Sequence, residues 1–265
     1  MVTQDISTLF NRGLLRKNRQ RSSKQFGEHD FLFHEIANRI AENVEFIDRD
    51  LDSVLEISAR DGYLSSLIKD KKNPKEMIVT SLGDAINADV VSDDELLPFK
   101  KESFDLIVSN LNFHYINQIP QFLIQVRELL KPGGIFIASF FGEENLSELA
   151  QVLHVSENEI YNGVSPRMPP TIDVKTAASL LSKAGFENPI SDFSKIEVDY
   201  SNPMSLFKDL KVMGQGNILE KKSRKFFTRG FLKQICDNYH KLHSLEDGKV
   251  LATFEVVTIT GWKLA

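Results

Sequence analysis

Between Asp52 and Leu67 the chain reads Asp-Ser-Val-Leu-Glu-Ile-Ser-Ala-Arg-Asp-Gly-Tyr-Leu-Ser-Ser-Leu. Val54, Leu55 and Ile57 make a short apolar strand, and Leu64, Leu67 and Ile68 recur behind it at helical spacing. A tight turn holding Gly62 joins the two. Such a turn aims backbone N–H groups and a helix N-terminus at one point, which favours a closely approaching ligand or an anion. Glu56, near the strand's end, lies beside the same crevice. In an open α/β sheet, ligands bind just outside the carboxyl ends of the strands.

The rest of the chain can be placed relative to this turn. Ahead of it, Ile6 to about Gln25 predicts a short helix. Phe31 to Phe46 predicts a stronger one, with Phe33, Ile36, Ala37, Ile40 and Val44 on one face. Behind it, the helix from Gly62 stops at Lys71-Lys72-Asn73-Pro74. Further strands are expected at 77–79, at 88–91 and at Phe104–Ser109, the last nearly all apolar and so buried on both faces. A helix over Ile119–Leu130 is stopped by Lys131-Pro132-Gly133-Gly134, and Ile135–Phe141 forms the next strand. Beyond Gly142, helices are expected at 143–155, 174–184, 204–213 and 226–242, with strands at 190–200 and 250–262.

This alternation predicts an α/β fold with a doubly wound, mostly parallel, seven-stranded sheet. Residues 49–142, 173–202 and 244–265 form its core. Residues 1–48 supply N-terminal helices, and helical insertions at 143–172 and 203–243 form a cover over the rim.

A chain of 265 residues with net charge −5 suits one large domain with insertions and argues against a general nucleic-acid binder. No apolar run reaches bilayer-spanning length, and no secretory signal is evident. The lone Cys236 excludes an internal disulfide framework and a cysteine-based zinc site, which points to a reducing compartment. Arg12, Arg16, Lys17, Arg19, Arg21 and Lys24 form a basic stretch with no acidic residue among them. It reads as a transit peptide, as a dock for an acidic partner or lipid surface that would allow peripheral membrane contact, or as a solvated helix face. The last is taken as the expectation.

Four pieces in order, Val54–Gly62, Asp93–Phe99, Phe104–Tyr115 and Leu129–Gly134, resemble a class I methyltransferase that uses S-adenosylmethionine. Leu97-Pro98-Phe99 ahead of the buried Phe104–Ser109 strand, then Leu129-Leu130-Lys131-Pro132-Gly133-Gly134, is the specific combination. Within that superfamily the chain resembles the family of the mitochondrial NADH:ubiquinone oxidoreductase complex assembly factor five and its bacterial relatives. The malonyl-carrier-protein methyltransferases of biotin synthesis are more distant kin. Leu9-Phe10-Asn11-Arg12, Met204–Asn217 and Glu246–Lys263 extend the match to nearly the whole chain.

The resemblance implies a Rossmann-like fold, S-adenosylmethionine as cofactor, and a methyltransferase-family protein acting on a protein or acyl-carrier-type substrate. It equally implies an assembly factor for a respiratory complex, partnered by one of its subunits, as an arginine hydroxylase or a non-catalytic module. A bacterial cytoplasm is the expected compartment, with the mitochondrial matrix as the other. The sequence leaves the oligomeric state open.

The resemblance also carries site residues. Glu56 keeps the family's acid, Ser58 and Arg60 stand at the first two glycine positions of the cofactor turn, and Gly62 keeps the third. Ser58 accommodates its Cβ if the backbone there is extended. Arg60 must point away or substitute for a cofactor contact. Ser81 stands near the ribose-binding place, where Asp84 or Asp89 can stand in. Asp93 matches the position whose carboxylate meets the adenine amine, with Asp94 beside it; the plain alternative is a solvated acidic turn. Ser109, Asn110, Asn112, His114 and Tyr115 cluster where methyl acceptors sit. His114 is the natural base if deprotonation is needed, with a pKa that can lie near neutrality, and Tyr115 joins it as a catalytic candidate. Packing roles for both stay open, and Asn110 reads as a turn former. No metal site is expected: His240, His243 and Glu246 read as a polar helix end, and His29 and His34 show no ligand-like partners at helical spacing. Arg167 reads as a surface arginine, or as a contact for an anionic group.

Overall fold

The structure, a computed structural model, describes residues 8–83, 88–222 and 227–264. Two helices, α1 (Arg12–Ser22) and α2 (Phe31–Glu45), come first, joined by a 3-10 turn at Ser23–Glu28. The core follows as β1 (Ser53–Ile57), α3 (Tyr63–Lys72), β2 (Glu76–Ser81), β3 (Val90–Val91), β4 (Phe104–Ser109), α4 (Ile119–Leu129) and β5 (Leu130–Phe141). The remainder adds α5 (Ser147–Tyr161), α6 (Val174–Lys183), β6 (Glu187–Tyr200), α7 (Pro203–Val212), α8 (Arg229–His243) and β7 (Val250–Trp262).

The seven strands form one sheet in the order β3-β2-β1-β4-β5-β7-β6. β1 to β5 run parallel, and β7 enters antiparallel between β5 and β6. This is the expected seven-stranded, mostly parallel architecture. Chain order reverses between β1 and β4. The carboxyl ends of these two neighbours therefore open the crevice where ligands bind in such sheets.

Apolar burial fixes the layers. On one face Ile36 and Ile40 of α2, Leu64 and Ile68 of α3, Val152 of α5, Leu206 of α7 and Ile235 of α8 share a single core. On the other, Leu123 and Val126 of α4 and Ala177 and Leu181 of α6 pack on Leu55, Ile57 and Ile107. Phe10 and Leu15 belong to a third, smaller cluster with Leu82, Tyr115, Ile218 and Leu219.

Several boundaries differ from the sequence expectations, each for a local reason. Asn11 caps α1 by accepting from the Leu14 amide, and Phe10 bridges to Leu219, so the helix starts at Arg12; Ile6 lies outside the described residues. Lys131–Gly134 does not end α4 in a loop but opens β5, with Gly133 at φ +78°. α5 begins at Ser147, because the Gly142 and Leu146 amides donate to the Glu255 and Thr253 carbonyls of β7 and hold 142–146 against the sheet. α8 begins at Arg229; Phe226 lies outside the described residues.

Candidate active site

The turn after β1 keeps a glycine-type backbone although its side chains are larger. Gly62 stands at φ +81° as the residue before α3. Ser58 stands at φ +60°, so the extended backbone that would accommodate its Cβ is not found. A left-handed conformation costs a non-glycine residue roughly 1–2 kcal/mol. The Ser58 amide donates to Thr80 Oγ1 at 3.0 Å and the Ala59 amide to the Thr80 carbonyl at 2.9 Å, which tie the turn to β2.

Side chains of α1 lie over this turn. Arg12, Arg16 and Arg19 recur at i, i+4 and i+7 and so share one helix face. Arg12 bonds Asp93 Oδ1 at 2.8 Å and Asp94 Oδ2 at 2.7 Å, and reaches the Tyr115 carbonyl at 3.3 Å. Arg16 lies against Gly83. Arg19, 1% exposed, donates to Ser58 Oγ at 2.8 Å and to Asn112 Oδ1 at 2.5 Å. The expectation of a solvated basic face fails at Arg12 and Arg19, which the carboxylate, amide and hydroxyl acceptors of the rim turn inward, and holds at Arg16, Lys17, Arg21 and Lys24, which are exposed.

Arg60 is also buried. Its guanidinium lies 4.6 Å above the Phe26 ring and donates to Ser22 Oγ at 3.3 Å. It thus points away from β1 towards the segment behind α1. Arg12 and Arg19 cover the rim from above.

The acidic run Asp93–Glu95 is not solvated. Asp94 is fully buried between Arg12 and Asn112, whose Nδ2 donates to it at 3.0 Å. Glu95 accepts from the Asn117 amide at 2.5 Å. Asp93, on the outer side, keeps 42% of its side chain exposed while pairing with Arg12. Burial opposes the Arg12 charge, but the two carboxylates outweigh it and raise the pKa.

Glu56 lies below, 3% exposed. Burial pushes its carboxyl up to about 7, with Ser65 opposing the shift. Among the described residues its Oε2 has no hydrogen-bond partner, and the same holds for Asp94 Oδ1, Ser109 Oγ and His114 Nδ1. These four atoms come from the ends of β1 and β4 and from the loops beside them. Unpartnered polar atoms buried at one rim are costly.

His114 and Tyr115 are both buried against Gln215, from the segment after α7. Tyr115 donates its hydroxyl to Gln215 Oε1, and His114 Nε2 stands 3.3 Å from the same oxygen. Burial, with Arg19 assisting, drives the His114 imidazole down to about 3. It is therefore neutral, and the near-neutral pKa expected from sequence is not found. Burial raises the Tyr115 phenol. A neighbouring cavity of about 120 Å³ is lined by His114, Phe141, Leu146, Arg167 and Gln215.

The remaining expected residues take structural places. Ser81 Oγ accepts from the Gly83 amide at 3.1 Å, and Asp89 Oδ2 accepts from the Val79 amide at 2.8 Å; Asp84 lies outside the described residues. Asn110 links the Phe33 carbonyl to Ser139. Arg167 is not a surface residue: it pairs with buried Glu157 at 2.6 Å and stacks on Phe231. α8 ends at His243, leaving Glu246 beyond it.

The expectation of no partner at helical spacing fails for His34, and His29 is paired across the chain. His29 Nδ1 meets Asp209 at 2.5 Å, and His34 Nε2 meets Asp61 at 2.7 Å and Asp30 at 3.4 Å. The Asp30–His34 spacing of four was legible in the sequence; the Asp61 and Asp209 partners were not.

Comparison with known proteins bears on this geometry. Residues 68–138 match the family described as "Methyltransferase domain". "Arginine-hydroxylase NDUFAF5, mitochondrial" of Mus musculus is 32% identical over 267 residues, spanning 96% of this chain and 77% of its own. "Putative methyltransferase RP459" of Rickettsia prowazekii is 35% identical over 221 residues, spanning 78% of this chain and 93% of its own. Among solved structures, the phosphoethanolamine N-methyltransferase 2 of Haemonchus contortus, in complex with phosphomonomethylethanolamine and S-adenosylhomocysteine, superimposes with a TM-score of 0.57. That match has 14% identity and covers 95% of this chain and 61% of that one. It shares the fold.

Proposed function

This chain belongs to the family of arginine-hydroxylase NDUFAF5, and we propose that it is an S-adenosylmethionine-dependent enzyme of the class I methyltransferase type whose acceptor is a group on another protein. The observation that carries the reading is the set of buried, unpartnered polar atoms on the sheet rim: Glu56 Oε2, Asp94 Oδ1, Ser109 Oγ and His114 Nδ1.

The donor set fits the cofactor. Glu56 and Asp93 are carboxylates able to accept from amino and hydroxyl groups, and the Ser58–Gly62 backbone keeps the left-handed geometry that lets a ligand approach. The space fits only with α1 withdrawn. The cavity beside Glu56 holds about 10 Å³, whereas small-molecule sites span roughly 300–1,000 Å³. Arg19 covers Ser58, and Arg12 covers Asp93 and Asp94, on the rim beside it. Their helix is anchored by the small Phe10–Leu15 cluster rather than by either main core, which supports a helix able to lift away.

When bound, S-adenosylmethionine supplies an electrophilic methyl group. The chain's own residues would orient and exclude water. Neutral His114 offers Nδ1 as a hydrogen-bond acceptor, and Gln215 fixes its ring and that of Tyr115. Such a site works through alignment more than through a strong base. A groove of about 560 Å³ beside α1, with Arg21, Lys208, Lys211 and Lys222 among its walls, supports an acidic protein partner.

A second reading has the same fold act as a respiratory-complex assembly factor, by hydroxylation of an arginine in a subunit or without catalysis. The name of the 32%-identical relative and the closed crevice favour it. No described helix is long and apolar enough to cross a membrane. A reducing compartment, bacterial cytoplasm or mitochondrial matrix, suits Cys236, which is free.

Calorimetric titration with S-adenosylmethionine and S-adenosylhomocysteine tests the first reading. Saturable binding is expected, and absence of binding at millimolar ligand, in the native chain and in Arg19→Ala, overturns it. Mass analysis of a co-expressed partner subunit separates the two: a gained methyl supports the first, a gained oxygen the second.

A further inference from the structure

We infer that Asp30, His34 and Asp61 form a binding site for one divalent first-row metal ion at the mouth of the crevice. One ligand atom from each, an imidazole nitrogen and two carboxylate oxygens, lies within 4.8 Å of the other two. His34 Nε2 stands 2.7 Å from Asp61 Oδ2 and 3.4 Å from Asp30 Oδ2. Donors on opposite sides of an ion, each about 2.1 Å from it, lie about 4.2 Å apart. Both of these separations fall within that span.

Each ligand is held in place by something other than the cluster. The His34 ring stacks on Tyr63, with centroids 3.8 Å apart. Asp61 uses Oδ1 to accept from the Tyr63 amide at 3.0 Å, which leaves Oδ2 for the cluster. Asp30 occupies the N-cap position of α2, where an aspartate ordinarily bonds the first-turn amides. Here its side chain makes no capping bond and stands towards His34 instead. His34 and Asp61 keep about a third of their side chains exposed, 31% and 32%, so an ion has access from solution.

An independent observation points to a ligand here. Glu56, 3% exposed, lines the same cavity as His34 and Asp61, and its Oε2 has no hydrogen-bond partner among the described residues. The cavity, about 10 Å³, has the size of one water or one ion. Asp61, in the same cavity, places a second carboxylate near Glu56, and a cation there would offset both negative charges.

One imidazole with two carboxylates selects Mn²⁺, Fe²⁺ or Zn²⁺ over Mg²⁺ and Ca²⁺, which prefer all-oxygen sets. The site does not depend on the cofactor reading: a chain that binds the metal and no S-adenosylmethionine retains it.

Titration of Mn²⁺ into the full chain, followed by loss of the free-ion electron paramagnetic resonance signal, tests the inference. One ion per chain is expected, with His34→Gln and Asp61→Asn each weakening binding by about tenfold or more. Thermal unfolding of the unmodified chain, with Mn²⁺ and with chelator, gives a readout free of variant misfolding, and a raised midpoint with metal is expected. Absence of saturable binding at millimolar Mn²⁺ overturns the site, and so does binding that both variants leave unchanged.

Discussion

Arg19 donates to the Ser58 hydroxyl at 2.8 Å while Ser58 holds a left-handed backbone at φ +60°. The serine that stands at a glycine position and the arginine that covers it form one unit. The turn keeps its ligand-cradling shape, and α1 fills the cradle.

Removing the plug should open the crevice. Arg19→Ala deletes a buried guanidinium but leaves the Phe10–Leu15 cluster intact. Ser58 and Asn112 each lose a charged partner, which costs on the order of 1–3 kcal/mol of stability. Affinity for S-adenosylhomocysteine should rise about tenfold, the amount expected if roughly 1.4 kcal/mol of closure no longer competes with binding. Calorimetric titration and urea unfolding of the same variant measure both effects. Unchanged affinity would show that α1 does not gate the crevice.

Adjacent aspartates should separate cleanly. Asp94 is buried and bonds both Arg12 and Asn112, so Asp94→Ala leaves Arg12 short of a buried partner and should cost about 3 kcal/mol. Asp93 pairs with Arg12 from a position 42% exposed, so Asp93→Asn should cost under about 1 kcal/mol. If Asp93 accepts from the adenine amine as proposed, the lighter change should nonetheless weaken binding of an adenosyl ligand, because an amide replaces a carboxylate acceptor. Chemical denaturation with ligand titration checks the pair.

The sheet was legible because its signal is local. Phe104–Ser109 and Val250–Trp262 are apolar runs that match their strands residue for residue. The plug was not, because a basic helix face is ordinarily solvated and the acceptors that turn it inward lie far along the chain: Ser58, Asp93, Asp94 and Asn112. The i, i+4, i+7 spacing of Arg12, Arg16 and Arg19 was the available clue. The Ser58 conformation was not legible for a related reason. Backbone conformation there follows from pairing with Thr80 across to β2, which the tripeptide around it does not reveal.

Glu56 and His114 should give opposite pH signatures. Glu56 has its carboxyl raised from 4.5 to about 7 in the folded chain. The folded state then binds a proton more tightly than the unfolded one, so its contribution to stability is full below pH 4.5 and is lost as pH rises to 7. The span corresponds to roughly 3 kcal/mol. His114 is lowered from 6.5 to about 3. Its contribution is full above pH 6.5 and is lost as pH falls towards 3, by a span on the order of 4 kcal/mol. Between pH 4.5 and 6.5 the two slopes oppose and nearly cancel in the native chain. Glu56→Gln should remove one of them, so that this variant, in chelator, loses stability steadily on acidification and exceeds the native chain at pH 8. His114→Gln should do the reverse and gain stability as pH falls from 6.5 to 4.5. Urea unfolding across pH 4.5–8 measures both slopes. Parallel profiles in the two variants would mean that neither group titrates from the buried position it holds at the rim.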